Sequence, residues 1–212
     1  MHDRPQTSLE EKANSVSHGL GMVLALAAAP VLLLDTARQG SALNLVGAGI
    51  FAATMVLLYF SSAVYHALPP GPRKCRCAKF DHGAIYLFIA GTYTPFALGA
   101  LHGPWGWTLF GLIWGMAGIG LALKAFNRLS HPLLSTGLYL AMGWLVVIAA
   151  VPLLERVAAA GVAWLVAGGL AYTAGVAFYL TDARVKFGHF VWHLFVMAGT
   201  ACHYFAVLWY SA

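Results

Sequence analysis

The sequence predicts an all-α membrane protein, a bundle of seven transmembrane helices, and three observations support this prediction. The 212 residues are 60% hydrophobic and only 9% charged, whereas about a quarter of a typical soluble domain is charged. The mean hydropathy is +0.75. Long stretches lack Asp, Glu, Lys and Arg, and they reach the roughly 20 apolar residues that a membrane-spanning helix needs.

These uncharged stretches divide into seven spans. The longest, 82–123, exceeds one crossing, and the turn-forming sequence His102-Gly103-Pro104 divides it in two. The predicted spans are about 15–34, 43–66, 81–101, 105–124, 132–153, 161–181 and 189–210. They fill most of the chain, so we expect a single transmembrane domain over residues 1–212.

The basic residues are distributed unequally between the two sides of the predicted bundle. Arg38 and Arg156 fall on one side. The other side carries Arg4, Lys12, Arg73, Lys74, Arg76, Lys79, Lys124, Arg128, Arg184 and Lys186. Short cytoplasmic loops are rich in Lys and Arg, so we predict a cytoplasmic N-terminus and an external C-terminus. The net charge of +5 therefore requires no nucleic-acid partner.

The segment 73–79 between the second and third spans is predicted to be a cytosolic loop. Its basic side chains favour contact with anionic lipid headgroups. Cys75 and Cys77 lie in this segment, and in the reducing cytosol we expect both to be free thiols.

Polar residues are concentrated at the predicted cytoplasmic ends of the spans. Ser62 and His66 are four residues apart, as are His189 and His193, so each pair shares one helix face. Asp81 begins the third span. Further polar residues at this level are Glu11, Asn14, His18 and His82. Ionisable groups at membrane depth are costly and usually mark function.

The histidine spacing indicates a metal site. An H-x-x-x-H pair on a helix can present two imidazoles to one ion, and His66 would supply a third. Three protein ligands leave a tetrahedral position open for water, which is typical of catalytic zinc. Asp81 could orient that water or accept its proton. We expect packing roles for His2, His102 and His131, and for His203 a position about 15 Å deeper than His193.

Four segments of the sequence resemble the progestin and adipoQ receptor superfamily, in particular its bacterial hemolysin III branch. The segments are EKANSVSHGLG from Glu11, SSAVYHAL from Ser61, DHGAIYLFIAGTYTPF from Asp81 and HFVWHLFVMAGTACHYF from His189. Together they extend from the first predicted span to the last. The combination of S-x-x-x-H, an aspartate at the next helix start and H-x-x-x-H is highly specific.

The resemblance implies a seven-helix protein of the bacterial inner membrane with a cytoplasmic N-terminus. It also implies a zinc ion held by His66, His189 and His193, with Ser62 and Asp81 beside the zinc-bound water. Alkaline ceramidases, which hydrolyse a lipid amide, are similar in this constellation. Members of the bacterial branch have been linked to haemolysis and to membrane homeostasis.

Three functions remain open at this point. The first is a zinc-dependent hydrolase of a lipid amide or ester, in which Asp81 is the general base and Ser62 helps to position water. The second is a non-catalytic sensor of membrane state that is braced by zinc. The third is a pore-forming protein, whose interior polar residues would be Thr92, Tyr93, Thr94, Thr136, Tyr172, Thr173, Thr200 and His203. In each case membrane lipids are the expected partners, and the oligomeric state stays open.

The charge asymmetry generates a topology prediction. A reporter that is active only in the cytosol should be active when inserted near Lys74 and silent when fused after Ala212, because basic residues are retained inside. Reporter activity at both positions in whole cells is the measurement. The opposite pattern would overturn the predicted orientation.

Overall fold

The computed structural model describes residues 4–129 and 131–212, and every regular element in these ranges is helical. The elements are α1 (Ser8–Arg38), α2 (Ala42–Ala67), α3 (Pro72–Leu98), α4 (Pro104–Ala125), α5 (Pro132–Gly143), α6 (Ala150–Arg156), α7 (Ala159–Thr181) and α8 (Gly188–Tyr210). A 3-10 segment, Leu145–Ala149, joins α5 to α6. His2, for which we predicted a packing role, lies outside the described residues.

Within the described ranges, six helical stretches are long and apolar enough to cross a membrane. They correspond to the predicted spans 15–34, 43–66, 105–124, 132–153, 161–181 and 189–210. The predicted span 81–101 falls largely within α3, which is long enough but is not one of the six.

Helix α3 is less apolar than the other long helices, and much of its length is buried in protein. It packs against α2, α4, α5 and α8. Buried residues on it include Asp81, Thr92 and Thr94, and Thr92 and Thr94 donate hydrogen bonds to backbone carbonyls one turn earlier in the helix. A helix that is surrounded by others can carry polar side chains that a lipid-facing helix cannot.

The prediction of a loop over 73–79 was wrong, because these residues form the first turns of α3. Pro72 occupies the start of the helix, where its missing N–H costs nothing. Lys74 donates hydrogen bonds to the carbonyl oxygens of Tyr65 and Leu68 at the end of α2. The chain therefore passes from α2 to α3 with its backbone groups satisfied. Cys75 and Cys77 are free thiols, as predicted.

The fifth predicted span is interrupted in its second half. A 3-10 turn there interrupts the regular hydrogen bonds of the α-helix. The hydroxyl of Tyr93 accepts a hydrogen bond from Val146 N at 2.9 Å and lies 2.8 Å from the carbonyl oxygens of Met142 and Gly143. Non-helical backbone at membrane depth is tolerated where it is buried or lines a cavity. Tyr93 on α3 thus stabilises the break.

Contacts between distant parts of the chain define the two ends of the bundle. At one end, the carboxylate of Glu10 accepts from Phe187 N, which brings the start of α1 to the start of α8. At the other end, Ala100 N donates to the carbonyl oxygen of Ser211. The starts of α1, α3 and α8 and the end of α2 are therefore close in space, where we predicted the polar cluster.

Two glycines of α4 lie in opposite environments. A β-carbon at Gly106 would overlap the backbone carbonyl of Ala97 and would come within 2.9 Å of Leu101 O. A β-carbon at Gly111 would have no heavy atom within 4 Å. Backbone atoms cannot rotate away as a side chain can, so of these two glycines only Gly106 is required by packing.

We expect Gly106→Ala to destabilise the protein by about 1–3 kcal/mol, because it overpacks a buried contact. Gly111→Ala is the control on the same helix, and it should be neutral or stabilising by less than about 1 kcal/mol. Thermal unfolding in detergent measures both. Equal unfolding temperatures for the two variants would contradict this account of the α3–α4 packing.

Candidate metal site

Three histidines occupy neighbouring helix ends. His66 lies in the last turn of α2, and His189 and His193 lie in the first two turns of α8. His66 is 4% exposed and His193 is 2% exposed. The spacing of four residues places His189 and His193 on the same face of α8, and this face meets the end of α2.

The three imidazoles form a nearly equilateral triangle. Their ring centroids are 5.0 Å apart for His66 and His189, 5.0 Å for His66 and His193, and 4.9 Å for His189 and His193. One ring nitrogen from each lies within 4.8 Å of those of the other two. This cluster could hold a metal ion.

The Nδ1 atom of each imidazole is bonded to an outer partner. His66 Nδ1 lies 2.7 Å from Glu11 Oε2, and His189 Nδ1 lies 2.7 Å from Asp182 Oδ2. His193 Nδ1 lies 3.2 Å from the carbonyl oxygen of Asn14. Carboxylate and carbonyl oxygens accept hydrogen bonds, so Nδ1 is the protonated donor in each ring. The Nε2 atom of each ring is therefore left for another partner.

This arrangement fits a bound metal. Histidine ligands usually donate their second N–H to a carboxylate or a backbone carbonyl, which fixes the ring and makes the ligand nitrogen more basic. In addition, His66 Nε2 is buried and has no hydrogen-bond partner among the described residues. A buried polar atom without a partner is costly, and a metal ion at the centre of the triangle would satisfy it.

The two residues that we predicted as catalytic lie on adjacent helices next to this cluster. Asp81, in the third turn of α3, is 8% exposed, and Ser62, one turn before His66, is 2% exposed. Both side chains line a cavity that also reaches His189 and His193. The structure therefore brings all five predicted site residues to one end of the bundle.

The carboxylate of Glu11 is also held by a cation. Lys74 Nζ lies 3.0 Å from Glu11 Oε2 and 4.5 Å from the centre of the Tyr65 ring. Lys74 thus links α1, α2 and α3 around the partner of His66. This network gives Glu11, whose role the sequence left open, a position directly behind a candidate ligand.

A second carboxylate secures the N-terminal segment. Glu10 is 2% exposed, and both its oxygens lie 2.7 Å from the guanidinium nitrogens of Arg4. The hydrogen bonds from Arg4 to this carboxylate raise the pKa of the Arg4 guanidinium above its usual value. Glu10 also completes a capping box with Thr7, and its carboxylate accepts a hydrogen bond from Phe187 N. The start of α8, which carries His189, is therefore tied to the start of α1.

The cavity extends from the histidine end into the bundle. Its volume is about 140 Å³, many times the roughly 10–15 Å³ that one water molecule requires. Its wall is mostly aliphatic and aromatic. Of the eight interior polar residues that the sequence singled out, those that line it are Thr92, Tyr93, Thr136, Tyr172, Thr173 and His203. Thr94 and Thr200 instead bond to helix carbonyls.

Several residues that contact the candidate ligands were not found by sequence reasoning. Asp182 was not considered because a lone acidic residue after an apolar helix looks like an ordinary helix terminus. A turn separates Asp182 from the start of α8, so no helical spacing links it to His189. Ser17, whose Oγ lies 3.0 Å from His193 Nδ1, has no sequence signal at all. His203 bonds to the carbonyl oxygen of Leu165, away from the cluster.

The chain is similar to known proteins over most of its length. The family model "Haemolysin-III related" matches residues 6–204. The chain is 42% identical over 204 residues to the Hemolysin-3 homolog of Bacillus subtilis (strain 168), covering 96% of this chain and 95% of that protein. It is 40% identical over 201 residues to Hemolysin-3 of Bacillus cereus, covering 95% and 91%.

A more distant relative is the human monocyte to macrophage differentiation factor, which is 28% identical over 208 residues and covers 95% of this chain and 84% of its own. The family match covers most of the chain, and the chain has six helical stretches able to cross a membrane. This chain is a multi-pass protein of the bacterial inner membrane and belongs to the haemolysin III family of the progestin and adipoQ receptor superfamily.

Proposed function

We propose that this protein is a zinc-dependent hydrolase that acts on a lipid amide or ester and thereby contributes to membrane homeostasis. The observation that carries the proposal is the convergence of three imidazoles, each with its Nδ1 bonded to an outer acceptor. Three histidine ligands with one open position are typical of catalytic zinc.

In this proposal His66, His189 and His193 hold the zinc ion. When bound, zinc lowers the pKa of a water molecule towards about 7 and polarises a carbonyl group. Asp81 accepts a proton at its carboxylate and later delivers it to the leaving group, as a general base that becomes a general acid. The hydroxyl of Ser62 orients the water or the carbonyl oxygen of the substrate.

The cavity supports a lipid as the substrate. Its polar end contains Asp81, Ser62 and two of the candidate ligands, and its apolar remainder runs between α3, α5, α7 and α8. An amide or ester carbonyl would lie at the polar end while the hydrocarbon chain occupies the apolar part. Membrane lipids are therefore the proposed partners, and the scissile bond is at the level of the helix ends.

We place this site on the cytoplasmic side. The histidine cluster lies at the same helix ends as the ten residues of the basic side, among them Arg4 and Lys74. In this arrangement α3 provides a seventh crossing, buried among the other helices, and the chain 1–212 acts as one transmembrane domain with an external C-terminus.

A non-catalytic sensor braced by zinc is the second candidate, and one observation favours it. The outer partners of the three histidines come from α1 and from the residue after α7, so one ion would couple four helix ends. A tetrahedral metal ion can supply a large part of the folding free energy of a small domain. In that case the ion would respond to changes in helix packing rather than to a substrate.

The metal assignment predicts one zinc ion per chain. The double variant His189→Ala/His193→Ala should lose it, because two of three ligands are removed. Asp182→Ala should weaken zinc affinity about 10–100-fold, because outer partners of ligand histidines have effects of this size. Elemental analysis and competition with a chromophoric chelator measure these values.

Asp35→Ala is the matched control, since Asp35 is an acidic residue near the opposite end of α1 that bonds only to Gln39 in the structure described. It should leave zinc affinity unchanged. Full metal retention in the double histidine variant would refute the assignment of the ligands.

The hydrolase is separated from the sensor by Asp81→Asn. Asn is nearly isosteric and can hydrogen-bond, but it cannot accept a proton at neutral pH. We expect zinc and thermal stability to be kept while turnover falls about 10²–10⁴-fold. His66→Ala should instead lose zinc affinity, turnover and stability together. Fatty acid release from N-acyl amides and phospholipid esters, in detergent and in bilayers, is the measurement.

Two outcomes would change the proposal. If the wild-type protein binds zinc but releases no fatty acid from any of these lipids, the sensor is the better description. If Asp81→Asn turns over as fast as the wild type, the hydrolase stands and Asp81 is not its base.

A further inference from the structure

His18 on α1 makes two contacts that connect the candidate ligands to the candidate catalytic residues. Its ring stacks on that of His193, with centroids 3.5 Å apart and planes 6° from parallel. Its Nδ1 lies 2.7 Å from Ser62 Oγ. The side chain is 3% exposed, and the edge of Tyr59 packs against it with centroids 5.1 Å apart.

The geometry of the stack is informative. Two rings with equal charge distributions avoid full face-to-face overlap and prefer offset or edge-on arrangements. A neutral ring is nevertheless attracted, face-on, to a group that carries positive charge. An imidazole that binds a metal ion shares the positive charge of that ion. The stack of His18 on His193 therefore suits a metal-bound His193 better than two free neutral imidazoles.

The second contact of His18 is the hydrogen bond between its Nδ1 and the hydroxyl of Ser62. Ser62 and His66 are on one face of α2, and His18 approaches Ser62 from α1. A hydroxyl hydrogen rotates freely unless its partners restrict it. A bond of 2.7 Å to a buried ring nitrogen restricts that rotation, so the direction of the Ser62 hydroxyl depends on His18.

We propose that His18 is a positioning residue with two effects. Its π face holds the His193 ring in the orientation for metal binding, and its Nδ1 holds the Ser62 hydroxyl in the orientation for the reaction. The second effect rests on the proposed hydrolase, whereas the first requires only that the cluster binds a metal. His18 is not one of the three candidate ligands.

Two substitutions separate these effects. In His18→Phe an aromatic face remains, and both ring nitrogens are lost. In His18→Asn the amide occupies the place of Nδ1, because it is the same number of bonds from the backbone, and the aromatic face is lost. His102→Phe is the matched control, since His102 lies in the turn before α4, at the opposite end of the bundle.

The first effect is tested on the full-length protein in detergent with zinc affinity and with the visible absorption spectrum of the Co²⁺-loaded protein, which reports ligand geometry. We expect His18→Asn to weaken zinc binding about 10-fold, within the range for outer partners, and to shift the Co²⁺ spectrum. His18→Phe and His102→Phe should match the wild type in both. His18→Leu, which also lacks a π face, replaces the Asn variant if the latter does not fold.

The second effect is tested by hydrolysis. His18→Phe should lower kcat as much as Ser62→Ala does, with KM unchanged, and the double variant should be no slower than either single variant. The role towards Ser62 would be overturned if the losses in kcat of the two single variants multiplied in the double variant. It would also be overturned if His18→Phe kept the kcat of the wild type. Wild-type zinc affinity and Co²⁺ spectrum in the variant without a π face would overturn the role towards His193. The Co²⁺ measurement decides the role towards His193 even if no lipid is hydrolysed, and in that case the role towards Ser62 falls with the proposed hydrolase.

Discussion

Three imidazoles, each with one ring nitrogen within 4.8 Å of those of the other two, are the constraint on which the rest of this structure depends. Buried ring nitrogens are costly without a partner, and an acceptor behind each ring fixes its orientation. Those acceptors come from α1 and from the end of α7, while the rings come from α2 and α8. The relative positions of four helix ends are therefore linked to the geometry of the cluster.

The N-terminal segment contributes to this geometry through two consecutive acidic residues. The carboxylate of Glu10 forms an ion pair with Arg4 and takes part in the capping box at the start of α1. It also accepts a hydrogen bond from Phe187 N, just before α8. Glu11, the next residue, faces His66 and Lys74. Consecutive residues on a helix point about 100° apart, so the pair can serve two different neighbours. One turn of α1 thus positions candidate ligands on two other helices.

The cavity explains why the polar residues are distributed as they are. Helices that face lipid must be apolar, while a helix enclosed by others can carry groups such as Asp81 and Thr92. In α3 these groups face an interior space that begins at the histidine cluster. Tyr93 stabilises the irregular backbone of the fifth span beside the same space. Some of the residues that lower the hydropathy of α3, Asp81 and Thr92 among them, therefore line the candidate site.

Hydropathy was sufficient to place six of the seven predicted spans, because each must be about as long as the membrane is thick. The four-residue spacing on α8 was sufficient to pair His189 with His193. The sequence could not show that α3 begins at Pro72, because the start of this helix is fixed by hydrogen bonds from Lys74 to carbonyl oxygens at the end of α2. Nor could it identify Asp182, Ser17 or the stack of His18 on His193, since these contacts join residues far apart in the chain or on different helices. Sequence periodicity determines which residues share a helix face, and the packing of the helices alone decides which faces meet.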